Sequence, residues 1–286
     1  METVAIVGVG LIGGSFAIAI RNAGFAGRIL GVSSQATLRR ALDLGIVDEG
    51  LPIQSALPRA GLVFLAHPIS RIIDQLSHID PLLRPGAVVT DAGSTKRRIV
   101  AAAGAILRGA FVGGHPMAGK ESRGAENADA HLFRSRTWFL TPSTPELMEQ
   151  PGVAALVSLI RSTGAQPVVI SPDDHDRLVS LTSHLPQLLS TALSATLHDT
   201  VGERARVAAG PGLHDMTRLA MSSYDIWADI LDTNQDAIAG ALDAFIERLT
   251  RLRNAVQGTD AAAIALRQRE FEFALNLSKA LRKATP

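Results

Sequence analysis

A chain of 286 residues with 28 Lys and Arg against 27 Asp and Glu has room for two hydrophobic cores but a net charge too close to zero to hold a polyanion, so nucleic acid is not expected as a partner. It has no cysteine, which removes disulfides, thiolate metal sites and a thiol nucleophile together. No membrane-spanning segment is expected, and strand-like sequence starts directly after Met1-Glu2 with no signal or transit pattern ahead of it, so a cytoplasmic protein away from membranes is expected.

Val4-Ala5-Ile6-Val7 is short, apolar and rich in β-branching, as a parallel strand buried on both faces must be. It runs straight into Gly8-Val9-Gly10-Leu11-Ile12-Gly13-Gly14-Ser15 and a helix predicted over 11–22. In such a turn Gly8 bends the chain, Gly10 lets backbone approach a pyrophosphate, and Gly13 lets helix and strand pack closely. The free N–H groups of the first helical turn, around Leu11 and Ile12, then point at the anion. Without strand and helix on either side the glycines would mark only a tight turn.

A second strand over 28–32 ends at Ser33-Ser34-Gln35, where an NAD-binding fold would place an acidic residue for the ribose hydroxyls. No Asp or Glu occurs between Glu2 and Asp43. Ser33 and Ser34, with Thr37, Arg39 and Arg40 nearby, favour NADP, and NAD stays open. A helix over 36–44 is stopped by Gly45. A third buried strand over 62–66 carries His67-Pro68 at its carboxyl end, where open α/β sheets bind ligands, and both are expected at the cofactor. Then come a helix over 69–79, a strand over 88–90, the turn Asp91-Ala92-Gly93-Ser94-Thr95-Lys96 and a helix over 95–107. A strand over 111–114 leads into His115-Pro116-Met117-Ala118-Gly119, followed by a strand over 136–141, a helix over 145–163 and a strand over 166–170. This alternation predicts a doubly wound, Rossmann-type parallel sheet in residues 1–171.

Residues 172–286 read as an all-α domain. Leu178, Leu181, Leu185, Leu188, Leu189, Ala192 and Leu193 make one apolar stripe at helical spacing, and Ile238, Ala241, Leu242, Phe245, Leu249 and Leu252 make another. Two stripes exceed what a small domain buries alone, so a homodimer is expected. Three polar groups could carry chemistry: Ser94, otherwise a helix cap; His115, otherwise a satisfied loop histidine; and Arg218, which clamps a carboxylate or lies on a helix surface. The eight histidines contain no i, i+4 pair, so no metal site is expected.

Taken together, the glycine motif, Asp91 to Lys96, Gly114-His115-Pro116-Met117-Ala118-Gly119-Lys120-Glu121, Ser183-His184-Leu185-Pro186 and Asp215-Met216-Thr217-Arg218 resemble the prephenate/arogenate dehydrogenases of tyrosine biosynthesis. The resemblance implies oxidative decarboxylation of prephenate or arogenate, with hydride passing to NAD(P), at a cleft between a nucleotide-binding and a helical dimerisation domain. It implies that His115 takes the proton of the substrate's C4 hydroxyl, that Ser94 shares that hydroxyl and steadies the histidine, and that Arg218 binds a carboxylate. Glu121 and Asp176 match acidic positions lining the entrance. Gln187 stands where some members carry a histidine against the substrate side chain, and Lys120 where a smaller residue is common; both are expected at the substrate, and Gln187 leaves prephenate against arogenate open. A β-hydroxyacid dehydrogenase would need a lysine in the helical domain, and 171–260 contains none. The alternative of another kind is a catalytically silent NADP-binding sensor.

Overall fold

The computed structural model describes residues 1–120 and 122–283. Strands and helices alternate through β1 (Thr3–Val7), α1 (Leu11–Asn22), β2 (Arg28–Val32), α2 (Gln35–Asp43), β3 (Glu49–Gly50), α3 (Ile53–Ala56), β4 (Leu62–Leu65), α4 (Ile69–Ile79), β5 (Val88–Asp91), α5 (Arg97–Ile106) and β6 (Ala110–Pro116). After a long connection come β7 (Thr137–Pro142), α6 (Pro151–Ser162) and β8 (Gln166–Val169). The sheet has the order β3-β2-β1-β4-β5-β6-β7-β8. β1 is paired on both sides, and Val4 to Val7 are fully buried, which is why that segment tolerates no charge. The order reverses between β1 and β4, and the crevice outside their carboxyl ends is where such sheets hold ligands.

The sheet is parallel as expected except at one junction, where β7 runs antiparallel to β6. A parallel connection needs a crossover, usually a helix. Among its described residues the link from β6 to β7 contains no helix beyond a 3₁₀ turn at Ala125–Asn127; it stays at the carboxyl end, so the chain re-enters from there. The helix expected over 145–163 is also divided, into a 3₁₀ stretch at Pro145–Glu149 and α6. Pro151 occupies the first turn of α6 and holds Gln150 extended at ψ 135°, as the residue before proline prefers.

Core packs on both faces of the sheet. On one, Phe16, Phe64 and Phe133 surround Trp138 with ring centroids 4.7–5.9 Å apart. On the other, Ile72, Leu76 and Ile99 cover Val63, Leu65 and Val89. Each such side chain contributes about 1.5–3 kcal/mol on burial.

The helical domain comprises α7 (Pro172–Val179), a π-helical turn at Ser180–His184, α8 (Leu185–Val201), α9 (Ala205–Ala208), α10 (Pro211–Thr217), α11 (Tyr224–Thr233), α12 (Gln235–Gln257) and α13 (Ala261–Lys283). No residue of α13 is buried, although it presents Phe271, Phe273, Leu277 and Leu281. Leu178, Leu181 and Leu249 from the two stripes are likewise exposed. Among the described residues, no helix is long and apolar enough to cross a membrane. The two domains are riveted at the start of α5. There Arg97 pairs with Asp236 and Asp176 and donates to Asn234, while Thr95 and Thr233 hydroxyls meet at 2.7 Å. Asp229 accepts from both the N–H and the hydroxyl of Ser70 at 2.9 Å.

Candidate active site

The glycine turn behaves as its sequence requires. Gly8 has φ +102°, and a Cβ there would lie 2.5 Å from the Ala66 carbonyl oxygen and 2.7 Å from His67 Cδ2. A Cβ at Gly13 would come within 2.1 Å of the Gly8 carbonyl oxygen. Gly10 differs, because a Cβ there would meet nothing within 4 Å. It therefore borders open space at the N-terminus of α1, where no side chain caps the helix and no acid sits in the first turn. Free N–H groups, a bare backbone and no competing carboxylate fit a dinucleotide's pyrophosphate.

Gly8 N–H donates to Val32 O at 2.9 Å, which brings the end of β2 beside this cradle. Ser33 is half-buried there. The Ser34 hydroxyl, expected at the cofactor, caps α2 by accepting from Thr37 N–H. His67, Pro68, Gly93 and Ser94 border a cavity of about 300 Å³ together with Arg123, whose Nη2 donates to Ser223 Oγ at 2.7 Å. Burial holds His67 below the ordinary imidazole pKa, and its Nδ1 pairs with Gln75 at 3.0 Å.

His115 lies inside β6 rather than in the loop after it, paired in register with Phe139 of β7. The backbone just ahead of it is fixed twice. Asp91 Oδ1 accepts from Gly114 N–H at 3.0 Å, and buried Lys96 joins Asp91 to the Gly114 carbonyl, 2.8 Å from Nζ. His115 Nδ1 meets His175 Nε2 at 2.9 Å, and His175 Nδ1 meets Asp176 Oδ1 at 2.8 Å. Burial, with His175, Lys96 and His184 close by, drives the His115 pKa well below 6.5, so the ring is neutral at pH 7. His184 closes the π-helical turn, a local form common at functional sites. Burial pushes its pKa down to about 4, and its ring stands edge-on to Trp227.

His115 opens onto a cavity of about 820 Å³ shared with Lys120, Gln187, Arg218 and Trp227. Arg218 is exposed at the start of a 3₁₀ turn after α10 and is a cation available to an anion there. Gln187 is buried and steadies that turn by donating to Leu219 O at 2.9 Å. Lys120 is paired with Asp129 at 2.7 Å.

Three expectations change at this site. Asp176 is fully buried, not at the entrance: besides His175 it accepts from Lys96 N–H and Arg97 N–H, and these donors keep its pKa low although burial acts to raise it. Ser94 is not bonded to His115; it borders the neighbouring cavity with His67 and Arg123, and the His115 ring is steadied by His175 instead. Ser94 is not a cap either, because α5 starts three residues later. Glu121 lies outside the described residues. His175, Lys96 and His184 escaped notice as a set, since nothing local marks a histidine or lysine that tertiary packing will bury. Among the described residues no cluster of three metal-ligating side chains occurs.

Comparison with known proteins places this geometry. Residues 16–169 match the family model described as prephenate dehydrogenase, nucleotide-binding domain, and residues 171–268 match prephenate dehydrogenase, dimerization domain. Prephenate dehydrogenase of Bacillus subtilis (strain 168) is 34% identical over 270 residues, covering 91% of this chain and 71% of that protein. Prephenate dehydrogenase from A. aeolicus, solved with hydroxyphenyl propionate and NAD+, superposes with TM-score 0.84 at 31% identity, over 99% of this chain and 97% of that one. Synechocystis arogenate dehydrogenase does so with TM-score 0.81 at 30% identity, over 99% of each chain.

Proposed function

The chain belongs to the prephenate dehydrogenase family, and we propose that it oxidises and decarboxylates prephenate or arogenate in tyrosine biosynthesis, as a cytoplasmic homodimer that prefers NADP. The observation that carries this reading is a neutral, buried His115 opening beside Arg218 onto one cavity, next to a cradle built for a dinucleotide. Bound NAD(P)+ supplies the hydride acceptor. Arg218 holds a substrate carboxylate, and the cavity turns the C4 hydroxyl toward His115. His115 Nε2 takes the hydroxyl proton as C4 gives up hydride. Oxidation leaves the ring carboxylate β to a new carbonyl through a double bond; its loss as carbon dioxide aromatises the ring and makes the step effectively irreversible. The protein's contribution is placement and proton acceptance.

Support for NADP comes from Ser33, which follows β2 where no acid stands to repel a 2′-phosphate. Support for the dimer comes from the uncovered apolar residues of α13. A silent sensor would have no use for His115, held by a buried carboxylate through His175, facing an arginine.

Steady-state rates with prephenate and arogenate, each with NAD and NADP, test the reading. His115→Asn should lower kcat by about 10² to 10⁴ while both ligands still bind. Retention of more than about a tenth of wild-type kcat would remove His115 as the base.

A further inference from the structure

An imidazole that is to accept a proton at Nε2 must carry its own proton on Nδ1, and nothing in the ring itself decides that. Here the decision is made two residues away. The Asp176 carboxylate accepts from Lys96 N–H, Arg97 N–H and His175 Nδ1, and as a carboxylate it has nothing to donate. His175 Nδ1 therefore carries a hydrogen. In a neutral ring that leaves His175 Nε2 bare, and its neighbour at 2.9 Å, His115 Nδ1, must be the donor. The direction of donation runs one way, from His115 through His175 to Asp176, and the lone pair left over is on His115 Nε2.

We propose that His175 and Asp176 are positioning residues for the proton acceptor: they fix the Nδ1–H tautomer of His115 and take up the positive charge formed when it accepts the substrate proton. This rests on the reading of His115 as the base. The substrate O–H bond breaks and a His115 Nε2–H bond forms, while the His115 Nδ1 hydrogen moves to His175 Nε2. His115 ends neutral, and the charge rests on His175 against the Asp176 carboxylate. Lys96 and Arg97 at the start of α5 and His184 in the π-helical turn oppose a cation there, and Asp91 of β5 favours one. Arg97 is itself neutralised largely by Asp236. A cation on His175 is thus held by a buried partner at 2.8 Å, whereas one confined to His115 has no carboxylate in contact among the described residues.

The competing reading is that His175 merely plugs the gap between α7 and β7, where Phe139 meets it edge-on at 5.2 Å. Asp176 anchors the start of α5, so its variants would confound folding with chemistry, and His175 is the residue to change. In ¹⁵N-histidine-labelled wild-type protein at neutral pH, with resonances assigned by His115→Asn and His175→Gln, both rings should be neutral and bear hydrogen on Nδ1. A His115 ring carrying hydrogen on Nε2 overturns the proposal, and this readout does not depend on activity. Kinetically, His175→Phe fills the gap but offers no acceptor. It should lower kcat at least about tenfold, with substrate and cofactor KM within about threefold. His175→Gln, whose amide oxygen still accepts from His115 Nδ1, should lose less. His175→Phe that melts near wild type and keeps kcat within about twofold would also overturn it. If instead His115→Asn stays active while the tautomers are as stated, the base has been misassigned and the hydrogen-bond order stands.

Discussion

A methyl group added at Gly10 meets no heavy atom within 4 Å, so Gly10→Ala should leave the fold alone and fill only the space a pyrophosphate would enter. An addition with no neighbour to displace changes stability by about 0.5 kcal/mol at most, which for a chain of this size is roughly 1–2 °C in Tm. The cofactor should feel it far more. Forcing the phosphates away from the helix N-terminus weakens at least one charge-assisted hydrogen bond, worth about 1.5–3 kcal/mol, or roughly tenfold to 150-fold in Kd. Gly13→Ala provides the opposite pattern. Its methyl would sit 2.1 Å from the Gly8 carbonyl oxygen and 2.8 Å from Ile6 Cγ2, so turn and core must both give way. Overpacking of that kind costs about 1–3 kcal/mol, part of it offset by alanine's preference for helix of roughly 1 kcal/mol. Calorimetric melting of the apo proteins and titration with NADP measure both quantities on the same samples. An unchanged Kd for Gly10→Ala, or a Tm as low as that of Gly13→Ala, would refute the assignment of Gly10 to the cofactor and Gly13 to packing.

Arg218→Ala removes a carboxylate clamp, so kcat/KM for substrate should fall about 30-fold to nearly a thousandfold, for a loss of roughly 2–4 kcal/mol, with cofactor Kd unmoved; an unaltered KM would return Arg218 to the surface. Ser33→Asp places an acid beside the cradle and should shift the kcat/KM ratio toward NAD by repelling the 2′-phosphate; a ratio that stays put would show that the end of β2 does not read that group. Acid should weaken the fold through its buried imidazoles. His184 titrates at about 4 in the folded chain against 6.5 unfolded, so below pH 6.5 the unfolded chain binds a proton that the fold refuses. Stability should fall by roughly 3 kcal/mol between pH 6.5 and 4, and His184→Asn should flatten that part of the Tm-against-pH curve.

The first domain was legible because its signals are local. The buried strand, the three glycines and the helix over 11–22 are dictated by residues adjacent in sequence, and α1 starts and stops where they say. The reversal of β7 was not legible: its residues are as apolar as those of β6, and direction depends on whether the connecting segment crosses the sheet. At the site, His115 and Arg218 announced themselves by motif. The resemblance put Asp176 at the entrance, and nothing local corrects that, because a helix reading Pro172-Asp173-Asp174-His175-Asp176 looks like a solvated first turn. Only the approach of α5 reveals that one of its three carboxylates is buried while the other two remain exposed. A cap stood as the other possibility for Ser94 because the sequence does not show that α5 begins at Arg97.

His115 sits within a strand pairing, held at Gly114 by Asp91 and Lys96, whereas the residues opposite it belong to α8, α11, the short helical turns beside them and the link after Pro116. The two halves of the cleft are therefore free to change at different rates over a lineage. On the proposed reading, replacing Gln187, Lys120 or the neighbours of Arg218 would re-cut the wall that meets the substrate's side chain without shifting the atom that receives its proton. A gene duplicated from this one could exchange a keto group for an amine at the substrate's far end through a few changes on the helical side, inheriting its proton chemistry intact.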